Sequence, residues 1–142
     1  MIEMLIVVVI LGILVIIALP RMRTGVINNN VRAARTTLIN MIAGARAAAS
    51  QTNRSTWVKI EGNRALVLAR PRLAFVSGSD ADTIGPIQDL SQVYGVTVTP
   101  SVDSFRFNPT LMTLATTSRK FTITRSGRSD TVVVDGLGRV LK

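Results

Sequence analysis

The sequence predicts an α+β fold in which one long N-terminal helix packs on antiparallel β-sheet. Three observations predict it. Residues 1–19 read MIEMLIVVVILGILVIIAL, apolar all round except for Glu3. Ile27, Val31, Ala34, Leu38, Met41, Ala45 and Ala48 then recur at steps of four and three, which places them on one helical stripe. Beyond Ser55 the hydrophobic period changes to two, the spacing of half-buried strands.

The helix comes first. A membrane span needs about 20 apolar residues at roughly 1.5 Å rise each, and residues 1–20 supply them. A cleavable secretory signal would carry basic residues ahead of a shorter apolar core, and none precede this run. The first cations, Arg21 and Arg23, follow the span, a bias that by itself would put the C-terminal part in the cytoplasm. Glu3 is the odd residue. A carboxylate costs about 2.5–3.5 kcal/mol at mid-bilayer, so it either sits at the interface or has a partner. Pro20 removes a backbone donor and disfavours helical geometry just before it, which predicts a kink or local melting near residues 16–20. Gly12 either weakens the helix by roughly 1 kcal/mol or serves as a small-residue packing point. Span and amphipathic segment together make one helix to about Thr52, roughly 75 Å long, closed by Asn53-Arg54-Ser55. The 142-residue length then leaves one further domain, residues 21–142, with a single core.

The strands follow. Thr56–Glu61 and Arg64–Arg70 alternate around Gly62-Asn63, a tight hairpin. Residues 71–93 hold Pro71, Gly78, Gly85 and Pro86 and read as a long irregular loop with one short helix. Strands are expected at Val96–Val98, Ser104–Phe107 and Leu111–Ala115. Lys120–Arg125 and Thr131–Asp135 flank Ser126-Gly127-Arg128-Ser129 as a second hairpin, and Arg139–Leu141 forms a last short strand.

Composition removes most catalytic chemistry. With no histidine and no cysteine there is no Ser-His-Asp or Cys-His nucleophile, no thiolate-imidazole zinc site and no disulfide. Asp80-x-Asp82-x-x-Gly85 begins like a calcium loop, but Ile84 occupies a ligand position and Ser91 stands where glutamate is needed. Gly136-x-Gly138 lacks the third glycine and the helix of a dinucleotide site, so it is a turn. Neither an enzyme nor a cofactor or metal is expected. The net charge is +9, and it is uneven: from Arg21 to Arg72 ten basic residues face the single acid Glu61. On a helical wheel Arg21, Arg32, Arg35 and Arg46 share a sector of about 60° beside the apolar stripe. That ridge reads either as a solvated helix face or as a surface for an anionic partner.

Ile2-Glu3-Met4-Leu5-Ile6-Val7-Val8, Ile10-Leu11-Gly12-Ile13-Leu14 and Ala18-Leu19-Pro20 resemble the N-terminal segment of type IV pilins and pseudopilins. Glu3 falls on the family's glutamate and Pro20 on its helix-kinking proline. The resemblance implies a basic leader ending in glycine, cut two residues before Met1 by a prepilin peptidase that also methylates the new amine. By that alignment the leader and the first two mature residues precede Met1. Farther on, Gly44-Ala45-Arg46-Ala47-Ala48-Ala49, Trp57-Val58-Lys59-Ile60, Phe107-Asn108-Pro109 and the ending around Gly138-Arg139-Val140 resemble the GspH/FimT-type minor pseudopilins. The family's glycine after Phe-x-Pro is replaced by Thr110-Leu111, and its frequent cysteines are absent.

The resemblance implies a pilin-like fold, with an inner-membrane anchor at residues 1–20 and a periplasmic domain at residues 21–142. It implies a non-enzymatic minor subunit that initiates or caps the pseudopilus of a type II secretion system. Glu3, Pro20 and Gly12 are the expected assembly residues, packing with other pilins or pseudopilins through the N-terminal helix. The alternative is a minor type IV pilin in pilus biogenesis or DNA uptake. The FimT branch binds DNA through Gly-Arg-x-Arg. Here Gly127-Arg128-Ser129-Asp130 and Gly138-Arg139-Val140-Leu141 each lack the second arginine. The candidate anion- or DNA-binding residues are therefore Arg139, Arg128, Lys142, Arg32, Arg35 and Arg46, with weak DNA binding expected.

Overall fold

The computed structural model describes residues 2–71, 81–110 and 118–141, and at positions 19–21 the backbone alone. The expected strand Leu111–Ala115 lies outside the described residues, as do Arg72, Asp80, Lys142 and the side chains of Pro20 and Arg21.

Helix α1 spans Ile2–Thr52. It runs unbroken through residues 16–20, so the expected local melting does not occur. A proline deletes one intrahelical hydrogen bond, and the helical turns on both sides hold the backbone in register. The helix ends as Asn53-Arg54-Ser55 suggested. Asn53 takes a left-handed φ of 51°, and the Arg54 N–H donates to the Ala49 carbonyl at 3.2 Å. This is a Schellman closure with asparagine at the left-handed position.

From Val31 onward one face of α1 is buried: Val31, Ala34, Leu38, Ile42, Ala45, Ala48 and Ala49. The expected stripe is corrected at one step. Ile42 rather than Met41 occupies the core, and Met41 packs at its margin. A helical repeat of 3.6 drifts against strict four-and-three stepping, so at this step the buried position falls one residue later, while Ala45 and Ala48 are buried as expected.

Two antiparallel sheets receive this face. In the first, β1 (Thr56–Glu61) pairs with β2 (Arg64–Ala69) and with β6 (Ser104–Phe107). Two short strands, β3 (Asp82–Thr83) and β4 (Gln88–Asp89), both pair with β2. The second runs β5-β7-β8-β9, made of Thr97–Pro100, Arg119–Arg125, Arg128–Val134 and Val140–Leu141. Inward residues alternate as a one-sided sheet requires: Val58 and Ile60, Phe105 and Phe107, Phe121 and Ile123, Val132 and Val134 are all buried. The Phe105 ring meets Phe107 edge-on at 5.2 Å and Phe121 of the other sheet at 5.5 Å, joining the sheets. Thr56, fully buried, donates its hydroxyl to the Ala45 carbonyl at 2.7 Å and ties β1 to the helix.

The first hairpin has the expected two-residue turn, with φ +59° at Gly62. The second is tighter than expected. Ser126 and Gly127, with φ of 46° and 78°, form the whole loop, so Arg128 and Ser129 belong to β8 and Arg128 faces Arg125 across the ladder. Positive φ at both loop positions is the type I′ pattern, whose twist matches that of the strands. β5 begins one residue later than expected and β9 begins at Val140, because Arg139 is held in the preceding turn.

The short helix expected in the 71–93 loop is α2, Leu90–Tyr94. Its N-cap Asp89 accepts from the Gln92 N–H at 2.9 Å. Tyr94 docks it on α1: its hydroxyl bonds Thr37 at 2.9 Å, and its carbonyl accepts from Asn30 at 3.2 Å and from Arg125.

Ile42 is 1% exposed, so Ile42→Ala is expected to destabilise the domain by about 2–5 kcal/mol, and Met41→Ala by clearly less. Urea denaturation of the two variants checks the assignment. The cap hydrogen bond from Gln92, aided by Arg64, holds the Asp89 carboxyl below its ordinary value. A folded-state value lowered in this way stabilises above the unfolded value and is lost as pH falls through the folded one. An NMR titration should find Asp89 protonating below an unperturbed aspartate.

Candidate functional site

Ile2 through Ile17, Glu3 and Gly12 excepted, are large apolar residues, and every described side chain from Ile2 to Ala18 is exposed. At about 1.5–3 kcal/mol for each such side chain, leaving this surface in water costs tens of kcal/mol. It is long and apolar enough to cross a membrane. Glu3 lies in the first turn, where its charge complements the helix dipole, and no described side chain pairs with it. Gly12 opens onto free space: among the described residues a Cβ there would meet nothing within 4 Å.

Arg32, Arg35 and Arg46 of α1 line the side of the helix that faces β8 and β9. Arg35 is taken up by the fold itself. Its Nε lies 3.5 Å from Asp130 Oδ2, and it is buried with no acceptor in hydrogen-bonding geometry, so the contact is Coulombic. Arg32 faces Arg128 and Ser129 across a small cleft of about 190 Å3. Asp130 also lines that cleft, which lowers its positive potential.

Arg46 and Arg139 meet in a larger groove of about 480 Å3. Its walls are the α1 face from Ile39 to Ser50 and the stretch Gly138-Arg139-Val140. Arg139 is held in place by Asp135, whose Oδ1 accepts from the N–H groups of Leu137 at 3.0 Å and Arg139 at 2.7 Å. The Asp135 N–H donates to the Arg139 carbonyl at 2.9 Å, and Gly138 sits at φ +73°. Gly136-x-Gly138 is thus a turn, as read from sequence, but the residue that organises it is Asp135. An aspartate directly before glycine is the signal that marks such a turn. The pairing of Arg35 with Asp130, ninety-five positions apart in the chain, left no mark in the sequence. Asp82 of the calcium-like stretch pairs with Arg54.

A long N-terminal helix laid across antiparallel sheets has solved counterparts. The minor type IV pilin FimU of Pseudomonas aeruginosa superposes with a TM-score of 0.64 in one crystal form, at 19% identity over 80% of this chain and 88% of that one. This is the pilin fold. A second crystal form of FimU gives 0.59 over 78% and 90%, at the same 19% identity. At that identity the likeness is one of fold. No family model matches the sequence, and no curated protein matches it.

The pilin fold puts the cationic side chains in two separate places, which bears on DNA. Arg32, Arg128 and Arg139 are exposed, Arg46 is half-buried and Arg35 is paired. A duplex reaching the three exposed ones would bind with a log–log salt slope near −3. Mobility-shift titrations at two salt concentrations are expected to show weak binding that Arg128→Ala and Arg139→Ala reduce only modestly. Tight binding at physiological salt, lost in those variants, would make DNA the leading ligand.

Proposed function

We propose that the chain is a minor subunit of a pilin-like filament, anchored in the bacterial inner membrane by residues 1–20 with its domain on the periplasmic side. The observation that carries this reading is the bare half of α1. A helix whose first half is apolar on every side needs lipid or neighbouring helices around it, and in a filament the same surface passes from one to the other. Glu3 then has a role. Inside an apolar bundle its carboxylate is costly unless a cation meets it, and the free N-terminal amine of the next subunit is such a cation. Subunits would accordingly be set in axial register by this one pair.

The sequence motifs shared with GspH/FimT-type proteins favour the type II secretion pseudopilus, where the chain would initiate or cap the fibre. The likeness to FimU, a minor type IV pilin, favours a type IV pilus as the second reading. Both roles are structural and need neither cofactor nor metal.

Replacing Glu3 by alanine in the full-length precursor is expected to leave the domain folded and to reduce crosslinking to partner subunits at least about tenfold, the cost of an unpaired buried charge being several kcal/mol. Secretion and surface piliation assayed in the same cells tell the machines apart. Unchanged crosslinking together with unchanged secretion and piliation would overturn the assembly reading.

A further inference from the structure

We propose that the groove between α1 and β9 is the docking site for an acidic, extended segment of a neighbouring protein subunit, held by Arg46 and Arg139. The inference deepens the filament reading and rests on it for the source of that segment.

Charge argues for the occupant. Arg46 and Arg139 reach the groove from different elements, and no described carboxylate pairs with either. Asp135, the nearest acid in the chain to Arg139, already accepts two backbone hydrogen bonds. Other described acids are engaged as well: Glu61 with Lys59, Asp82 with Arg54, Asp89 with Arg64 and Asp130 with Arg35. A second copy of this chain, at net charge +9, is a poor complement. The partner is therefore a different, acidic subunit.

The floor argues for protein over nucleic acid. Ile39, Ala43, Ala47 and Val140 line the groove together with Arg46 and Arg139. Hydrated phosphates gain nothing from such a floor, whereas a peptide alternating apolar and acidic side chains covers the floor with one set and meets the arginines with the other. The wall from Ile39 to Ser50 is about 16 Å long, which fits about five extended residues. β9 is also the terminal strand of its sheet among the described residues, so an extended segment beside it has an open edge to follow.

The test uses the full chain in neutral maltoside micelles and the fluorescein-labelled pentapeptide Val-Glu-Val-Glu-Val amide, read by anisotropy. The acidic peptide is expected to bind at least about tenfold more tightly than its Val-Gln-Val-Gln-Val counterpart. Arg46→Gln with Arg139→Gln should abolish that difference, and Arg46→Lys with Arg139→Lys should restore part of it, since lysine keeps the charge without the planar fork. Equal binding of the two peptides, or a difference that survives the double glutamine variant, would overturn the proposal. So would displacement of the peptide by a short DNA duplex that binds more tightly and loses affinity in the same variant. Glu3→Ala should leave peptide binding unchanged, so a failure of the groove and a failure of filament assembly are read in separate assays.

Discussion

One helix has to satisfy two solvents, and the rest of the molecule is arranged around that demand. From Ile2 to Ala18 α1 is apolar apart from Glu3, and every described side chain there is exposed. Along its second half it is apolar on one stripe only, and that stripe is the spine of the domain core. No break separates the halves, so whatever holds the first half also sets the position of the domain. Lipid tails and the apolar side chains of neighbouring helices would solvate the first half alike.

The domain end of the helix is built for close approach. Ala34, Ala45 and Ala49 are fully buried on the stripe, and small side chains let the sheets come near enough for Thr56 to reach a helix carbonyl. The bulk that fills the remaining space comes from the strands, above all Phe105, Phe107 and Phe121. Large-on-small packing of this kind seats the helix in one register. Tyr94 then clamps the helix near Asn30 and Thr37.

Charge is distributed by the same geometry. The arginine ridge borders the packing stripe, so Arg32, Arg35 and Arg46 each meet a different neighbour as the helix crosses β8 and β9. Arg35 finds an acid, Arg32 finds another cation, and Arg46 looks onto an apolar floor with Arg139 opposite. Three arginines with one periodicity thus have three chemical environments. A helical wheel cannot distinguish them, because it contains no information about what lies across the interface.

Local pattern alone determined a good deal. The all-round apolar run, the change to a stripe and the change to period two marked α1, both hairpins and β6, since each depends on spacings within a few residues. Glycine and asparagine placed the turns at Gly62 and Asn53 for the same reason: a left-handed backbone is a property of single residues. What tertiary structure alone decided is everything that depends on two distant segments meeting. It selected Ile42 over Met41 for the core, drew Arg128 into a strand, gave Asp130 to Arg35 and brought Arg139 from the chain's end to Arg46 on the helix. Burial and pairing are set by the partner surface, and one-dimensional spacing does not encode which surface that is.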